Sequence, residues 1–130
     1  MFRTDGLGEL YAYVEKSKQA TSFCQVPPLS LCNSVYGASI GRGSFTFVRG
    51  EWTHLVQNVT LNSPGKTDGK VQIVVNGNLA INYDQVLWRN DESVRFVGID
   101  FATFFGGSTS SWATPKTQHA YFKDFSITAF

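Results

Sequence analysis

The amino-acid sequence predicts an all-β protein built as an antiparallel β-sandwich. Three observations carry that expectation. Apolar and polar residues alternate with period two in several short runs, the spacing of a strand with one buried face. Clusters of Gly, Pro, Asn, Asp and Ser separate those runs at short intervals. No stretch keeps helical spacing for more than a turn or two. A chain of 130 residues is long enough for one buried core, so residues 1–130 read as a single β-sandwich domain.

In residues 9–15, Leu10, Ala12 and Val14 share one face, while Glu9, Tyr11, Tyr13 and Glu15 share the other. Residues 16–34 lose all periodicity, hold Pro27-Pro28 and both cysteines, and read as a loop. Residues 44–49 form a short strand with Phe45 and Phe47 on one face. Gly50-Glu51 then turns the chain into a longer strand, 52–61, rich in β-branched residues. Residues 62–69 are turn-formers throughout. Residues 70–76 place Val71, Ile73 and Val75 on one face. The pair Asn76-Gly77 accepts the positive φ angles of a type I′ turn, so 79–84 is expected to pair back antiparallel. Residues 94–104 and 119–130 are the last strands, with a Gly/Ser/Thr-rich loop at 106–115 between them.

Eleven Phe, five Tyr and three Trp with few charges suit a folded domain. A net charge of +1 without any basic run excludes the electrostatic footprint of a nucleic-acid binder. No segment has the apolar length of a transmembrane helix, so no membrane insertion is expected, and residues 1–20 lack a signal-peptide centre. Cys24 and Cys32 flank Pro27-Pro28 and read as a disulfide closing a small loop, the alternative being two buried thiols. Two cysteines and two distant histidines make no zinc pattern, so neither metal nor cofactor is expected. Asn58-Val59-Thr60 is an N-glycosylation sequon. Disulfide and sequon together suggest a secreted protein.

Four segments resemble a known family: Gly8-Glu9-Leu10-Tyr11-Ala12-Tyr13, Gly41-Arg42-Gly43-Ser44-Phe45, residues 52–65, and Thr103-Phe104-Phe105-Gly106-Gly107. Together, in this order, they resemble the C-terminal part of the alginate and glucuronate lyases of polysaccharide lyase family 14, including fungal-type members. The resemblance implies a concanavalin-like jelly roll, shortened at its N-terminus, whose concave sheet holds an acidic polysaccharide and cleaves it by β-elimination. In the family the chemistry belongs to a lysine, a Ser-x-Arg pair and a Tyr-x-Tyr pair. Tyr11 and Tyr13 match the last of these. The Ser-x-Arg pair is expected just before Met1 and the lysine further upstream. Arg3 matches a basic position but sits on a different step of its strand.

Without the upstream cation, efficient elimination is not expected, and the leading reading is a glycan-binding, lectin-like protein on a lyase scaffold. Its ligand-binding candidates are Tyr11, Tyr13, Arg42, His54 and Trp112. Arg42, between two glycines, can project from a bend and grip an anionic sugar with a bidentate fork. Trp112 either caps the core or offers its ring to a sugar. His54 lines a cleft only if the face it shares with Asn58 is not glycosylated. One alternative is a polyuronate lyase using Tyr11 and Tyr13 as catalytic base and acid; another is a cytotoxic or defence protein that recognises a protein partner. Glu9 and Glu15 read as solvated edge charges, Trp52 and Trp88 as packing residues, and Gly106-Gly107 as the solution to a backbone problem. An uncovered sheet edge would favour a homodimer or higher oligomer.

Overall fold

The alternation in the first segment becomes strand β1, Leu7–Ala12. It is followed by β2 (Leu31–Asn33), β3 (Gly37–Thr46), β4 (Leu55–Thr60), β5 (Gly69–Val75) and β6 (Asn78–Val86). In this computed structural model residues 1–33 and 35–129 are described. The chain divides into two units, Met1–Phe96 and Val97–Phe130.

The first unit holds two antiparallel sheets of three strands, ordered β1-β3-β2 and β4-β5-β6. Leu10 and Ala12 of β1 and Ala38 and Ile40 of β3 pack in one buried cluster with Val71, Ile73 and Val75 of β5 and with Ile81, Tyr83 and Val86 of β6. Apolar residues two apart in β1, β3 and β5 thus supply the core, and the sandwich follows from the period-two pattern. Phe23, fully buried, fills the same core. Burial of one such side chain contributes about 1.5–3 kcal/mol. The β5–β6 hairpin turns at Asn76 (φ 49°) and Gly77 (φ 82°), as the Asn-Gly pair requires.

Several boundaries differ from expectation. β3 begins at Gly37, well before the expected residue 44. Its first residues, Gly37-Ala38-Ser39, have weak strand propensity, and pairing with β1 and β2 secures them instead. β2 lies inside the expected loop, where the disulfide between Cys24 and Cys32 tethers it to a 3-10 turn at Thr21–Gln25. That loop is also held by side chains that imitate strand pairing. The Gln19 amide donates to the Leu87 carbonyl (2.8 Å) and accepts from the Leu87 N–H (3.0 Å). The Ser22 hydroxyl bonds the Tyr83 phenol at 2.8 Å. β4 is shorter than expected, and Trp52, read as a packing residue, is 61% exposed before the strand starts. Trp88 does pack against the core.

The turn after β4 is built around Asn62, buried at 1% exposure. Its Oδ1 accepts the N–H groups of Trp88 (2.7 Å) and Arg89 (2.9 Å), and its Nδ2 donates to the carbonyls of Ser63 (2.8 Å) and Arg89 (2.7 Å). The 62–65 signature is therefore a clamp between two chain segments.

In the second unit the expected strands carry no ladder among the described residues; Phe130, the end of the expected 119–130 strand, lies outside them. The named element there is a 3-10 turn at Ser110–Trp112. Aromatic rings do the packing, with Phe101 4.8 Å from both Phe122 and Phe125. Positive φ angles at Gly98 and Asp124 interrupt the extended runs. A strand exists only with a partner, and period two alone says nothing about where a partner lies. The rings of His119 and Tyr121 stack with centroids 6.4 Å apart.

Asn62→Ala removes four hydrogen bonds and takes the acceptor from the part-buried N–H groups of Trp88 and Arg89, so it should lower stability by about 2–4 kcal/mol. Urea unfolding of the variant checks this; a loss below about 1 kcal/mol would show that the turn holds without its clamp.

Candidate functional site

One face of β1 builds the core and the other carries Glu9 and Tyr11, with Tyr13 just beyond the strand. Tyr11 lies opposite Ser39 of β3 in the ladder. The rings of Tyr11 and Tyr13 meet edge to face with centroids 5.3 Å apart. Tyr13 is 79% exposed and Tyr11 partly so. Gly37 lies beneath them. A Cβ there would sit 3.1 Å from the Tyr11 ring and 3.2 Å from the Tyr13 ring, at a φ of +136° that side chains rarely adopt.

Beside the tyrosines is a buried ionic cluster. The ladder between β1 and β3 pairs Gly8 with Phe45 and Leu10 with Ile40. The single residue Glu9 therefore faces four inserted residues, Gly41-Arg42-Gly43-Ser44, in a bulge. The bulge carries Arg42 over Glu9, whose carboxylate is fully buried. Arg42 Nε donates to Glu9 Oε2 at 2.8 Å and lies 3.2 Å from Ser39 Oγ. Ser39 Oγ donates to the same Oε2 at 2.5 Å. From the other side, Arg3 contacts Oε1 through Nε (2.7 Å) and a terminal nitrogen (2.6 Å). The Arg3 guanidinium also lies 5.4 Å from the centre of the Tyr11 ring.

Burial alone would push the Glu9 carboxyl up. Bonds from Arg3, Ser39 and Arg42, with the Arg3 charge, outweigh that and hold it below its ordinary value. Two guanidiniums against one carboxylate leave the cluster with one positive charge in excess. Arg42 has spent only its Nε, and its terminal nitrogens have no partner among the described residues.

The structure thus brings together Tyr11, Tyr13 and Arg42 from the sequence candidates and adds Arg3, Glu9 and Ser39. Glu9 is a correction: it is a buried ion-pair partner and not a solvated edge charge. Arg42 sits on the expected bend, but its guanidinium turns back onto Glu9 instead of standing free. Finding this from sequence needed the β1–β3 register, which joins residues 33 apart in the chain. Glu15 is exposed and pairs with Lys18 at 3.0 Å, as an edge charge does.

His54 does not join the tyrosines. It precedes β4 in the other sheet, exposed, its backbone exchanging bonds of 2.8 Å with Asn76. Asn58 is exposed on β4, opposite Gln72 of β5. Trp112 lies in the second unit and is 56% exposed. Its indole rests on Gly107, where a Cβ would come within 2.1 Å of the ring. Gly107 therefore makes room for a tryptophan, the backbone role expected of the Gly-Gly pair.

The profile of polysaccharide lyase 14 matches residues 1–125. The chain belongs to polysaccharide lyase family 14. Among solved structures, the crystal structure of the marine PL-14 alginate lyase from Aplysia kurodai matches it with a TM-score of 0.73 and 37% identity. That match covers 88% of this chain and 44% of the other, so the chain spans under half the length of that lyase. No curated protein sequence matches. This family-14 scaffold is the expected antiparallel β-sandwich, and family membership favours the lyase reading over the lectin-like one.

Two predictions follow from the geometry. Because the Glu9 carboxyl titrates lower in the folded state, its contribution to stability is whole above its ordinary value of 4.5 and drains away as pH falls through the lowered native value. Glu9→Gln should therefore destabilise the protein near neutral pH and flatten the acid limb of the stability curve, measured by denaturant unfolding from pH 7 to pH 3. An acid limb identical to wild type would assign acid sensitivity to other carboxyls. Gly37→Ala should displace the two rings and lower stability by about 1–3 kcal/mol, read by thermal unfolding and the near-ultraviolet tyrosine signal. An unchanged signal would show that the rings do not depend on the gap.

Proposed function

We propose that this chain acts in the β-elimination of an acidic polysaccharide of the polyuronate class, with the solvent face of β1 as its reactive surface. The observation that carries the reading is the exposed Tyr11–Tyr13 pair beside a cluster with one excess positive charge, in a chain of family 14.

Elimination requires a cation or strong donor to neutralise the uronate carboxylate, which acidifies the ring proton at the adjacent carbon. A base then takes that proton, a carbon–carbon double bond forms, the bond to the glycosidic oxygen breaks, and an acid protonates that oxygen. In this reading the two phenols serve as base and acid. Their edge-to-face contact keeps the two phenols close enough to serve one sugar unit in this reading. The unspent terminal nitrogens of Arg42 are the fork offered to the carboxylate. Arg3, held by Glu9, adds positive charge beside Tyr11. The disulfide in the first unit supports an extracellular setting, where such polysaccharides occur.

The test is the ultraviolet absorbance of the unsaturated uronate when the protein is incubated with alginate and glucuronan. Wild type should produce a steady rise. Tyr11→Phe and Tyr13→Phe should each lower kcat by about 10²–10⁴-fold, the usual contribution of one general acid or base. Polyuronate binding without any rise would turn the chain into a glycan-binding module on the same scaffold.

A further inference from the structure

The proposed reactive face continues, past Tyr13, into an open groove whose other residues the elimination does not use. Tyr13 forms one wall; Lys16, Asn33, Tyr36 and Gly37 are among the others. Its volume is about 690 Å³, within the span of clefts that hold small ligands. Tyr36 is 69% exposed, with its backbone fixed by a turn in which Asn33 Oδ1 accepts the N–H groups of Val35 (2.7 Å) and Tyr36 (3.1 Å). The groove therefore presents two tyrosine rings on a braced backbone.

Its charge is equally specific. Glu15, on the groove wall, is already committed, pairing with Lys18 at 3.0 Å and accepting from Asn90 Nδ2 at 3.2 Å. Lys16 has no carboxylate partner among the described residues. Its ammonium donates to the Cys32 carbonyl at 3.1 Å, which leaves two of about three donors for a ligand. A lysine with spare donors beside exposed rings is what a sugar acid requires. The carboxylate takes the charge, and the C–H face of the ring lies on an aromatic surface.

We infer that this groove is a subsite for one uronate unit of the bound polysaccharide, with its carboxylate on Lys16 and its ring against Tyr36. The inference rests on the proposed reading of the β1 face, because Tyr13 belongs to both. The groove holds a unit next to the one being cleaved and contributes to binding, not to proton transfer. The disulfide and β2 place Lys16 and Tyr36 together, since Lys16 is bonded to Cys32 and Tyr36 follows the same strand.

The test uses the whole chain with Lys16→Met, which keeps the stem and removes the charge, Lys16→Arg, which restores it, and Tyr36→Ala. On polyuronate, Lys16→Met should raise KM by about two- to fivefold, the range of a partly exposed ion pair. Tyr36→Ala should raise it by about three- to tenfold. In both, kcat should stay within about twofold, as loss of uniform binding requires. Lys16→Arg should recover most of the loss, and a neutral cello-oligosaccharide should not compete. The same variants are titrated with an oligoglucuronate, which separates the two readings. If wild type binds but does not cleave, weakened binding in Lys16→Met keeps the subsite and removes the lyase reading. Cleavage with KM and affinity unchanged in both variants overturns the subsite and leaves the lyase reading standing. No binding of oligouronate by wild type overturns both.

Discussion

A buried carboxylate bonded by two arginines organises the candidate functional face of this protein. Glu9 sits in a strand whose neighbours Leu10 and Ala12 enter the core, so its backbone position follows from the packing on the opposite side. An ionised carboxylate buried there without partners would be strongly unfavourable. Arg3 and Arg42 supply the opposite charge and Ser39 a further donor. Removing one partner of a buried pair typically destabilises by about 3–5 kcal/mol, which makes the cluster a structural commitment. The bulge at 41–44 is intelligible as the backbone detour that brings Arg42 over Glu9.

That commitment has a consequence for the tyrosines. Tyr11 shares its strand with Glu9, lies across from Ser39, and has the Arg3 guanidinium beside its ring. Two of its neighbours, Ser39 and Arg3, are thus fixed by the carboxylate of the third. The phenols stand on a braced surface while remaining open to solvent, the combination a binding or reacting group needs. The same economy governs the 16–33 segment, which has little regular structure of its own. Gln19, Ser22 and the disulfide fasten it to β6 and β2, and the groove beside Tyr13 is the result.

Much of the sandwich was legible in the sequence because its rules are local. Alternation assigned Leu10 and Ala12 to the core and Tyr11 and Tyr13 to the opposite face, and Asn76-Gly77 announced its hairpin. The start of β3 was not legible, since Gly37, Ala38 and Ser39 are weak strand formers whose pairing with β1 and β2 is decided elsewhere in the chain. Glu9 failed for a related reason. A glutamate in an alternating strand is solvated in most settings, and only the register with a distant bulge reveals the arginine above it. Residues 97–129 show the limit from the other side: an extended, aromatic-rich pattern is present, and rings rather than a ladder join its parts. The tyrosine pair was legible as a candidate site through family resemblance; its cationic surroundings were not.

The distribution of charge bears on whether this face cleaves or only holds its ligand. Positive charge that is wholly paired with protein carboxylates cannot acidify a substrate proton, because its field is already balanced. Here the balance is incomplete. Glu9 offsets one guanidinium of two, and the geometry engages Arg42 through Nε while its terminal nitrogens have no partner among the described residues. A guanidinium anchored at one edge loses less conformational freedom when its other edge meets a carboxylate, so ordering it again on binding costs little. Lys16, bonded among the described residues to a carbonyl, is a second cation with donors to spare. Two partly spent cations beside a row of tyrosine rings favour a chain of sugar acids over a neutral glycan. Arg42, linked through Glu9 and Ser39 to the Tyr11 face, is the one placed to share its chemistry.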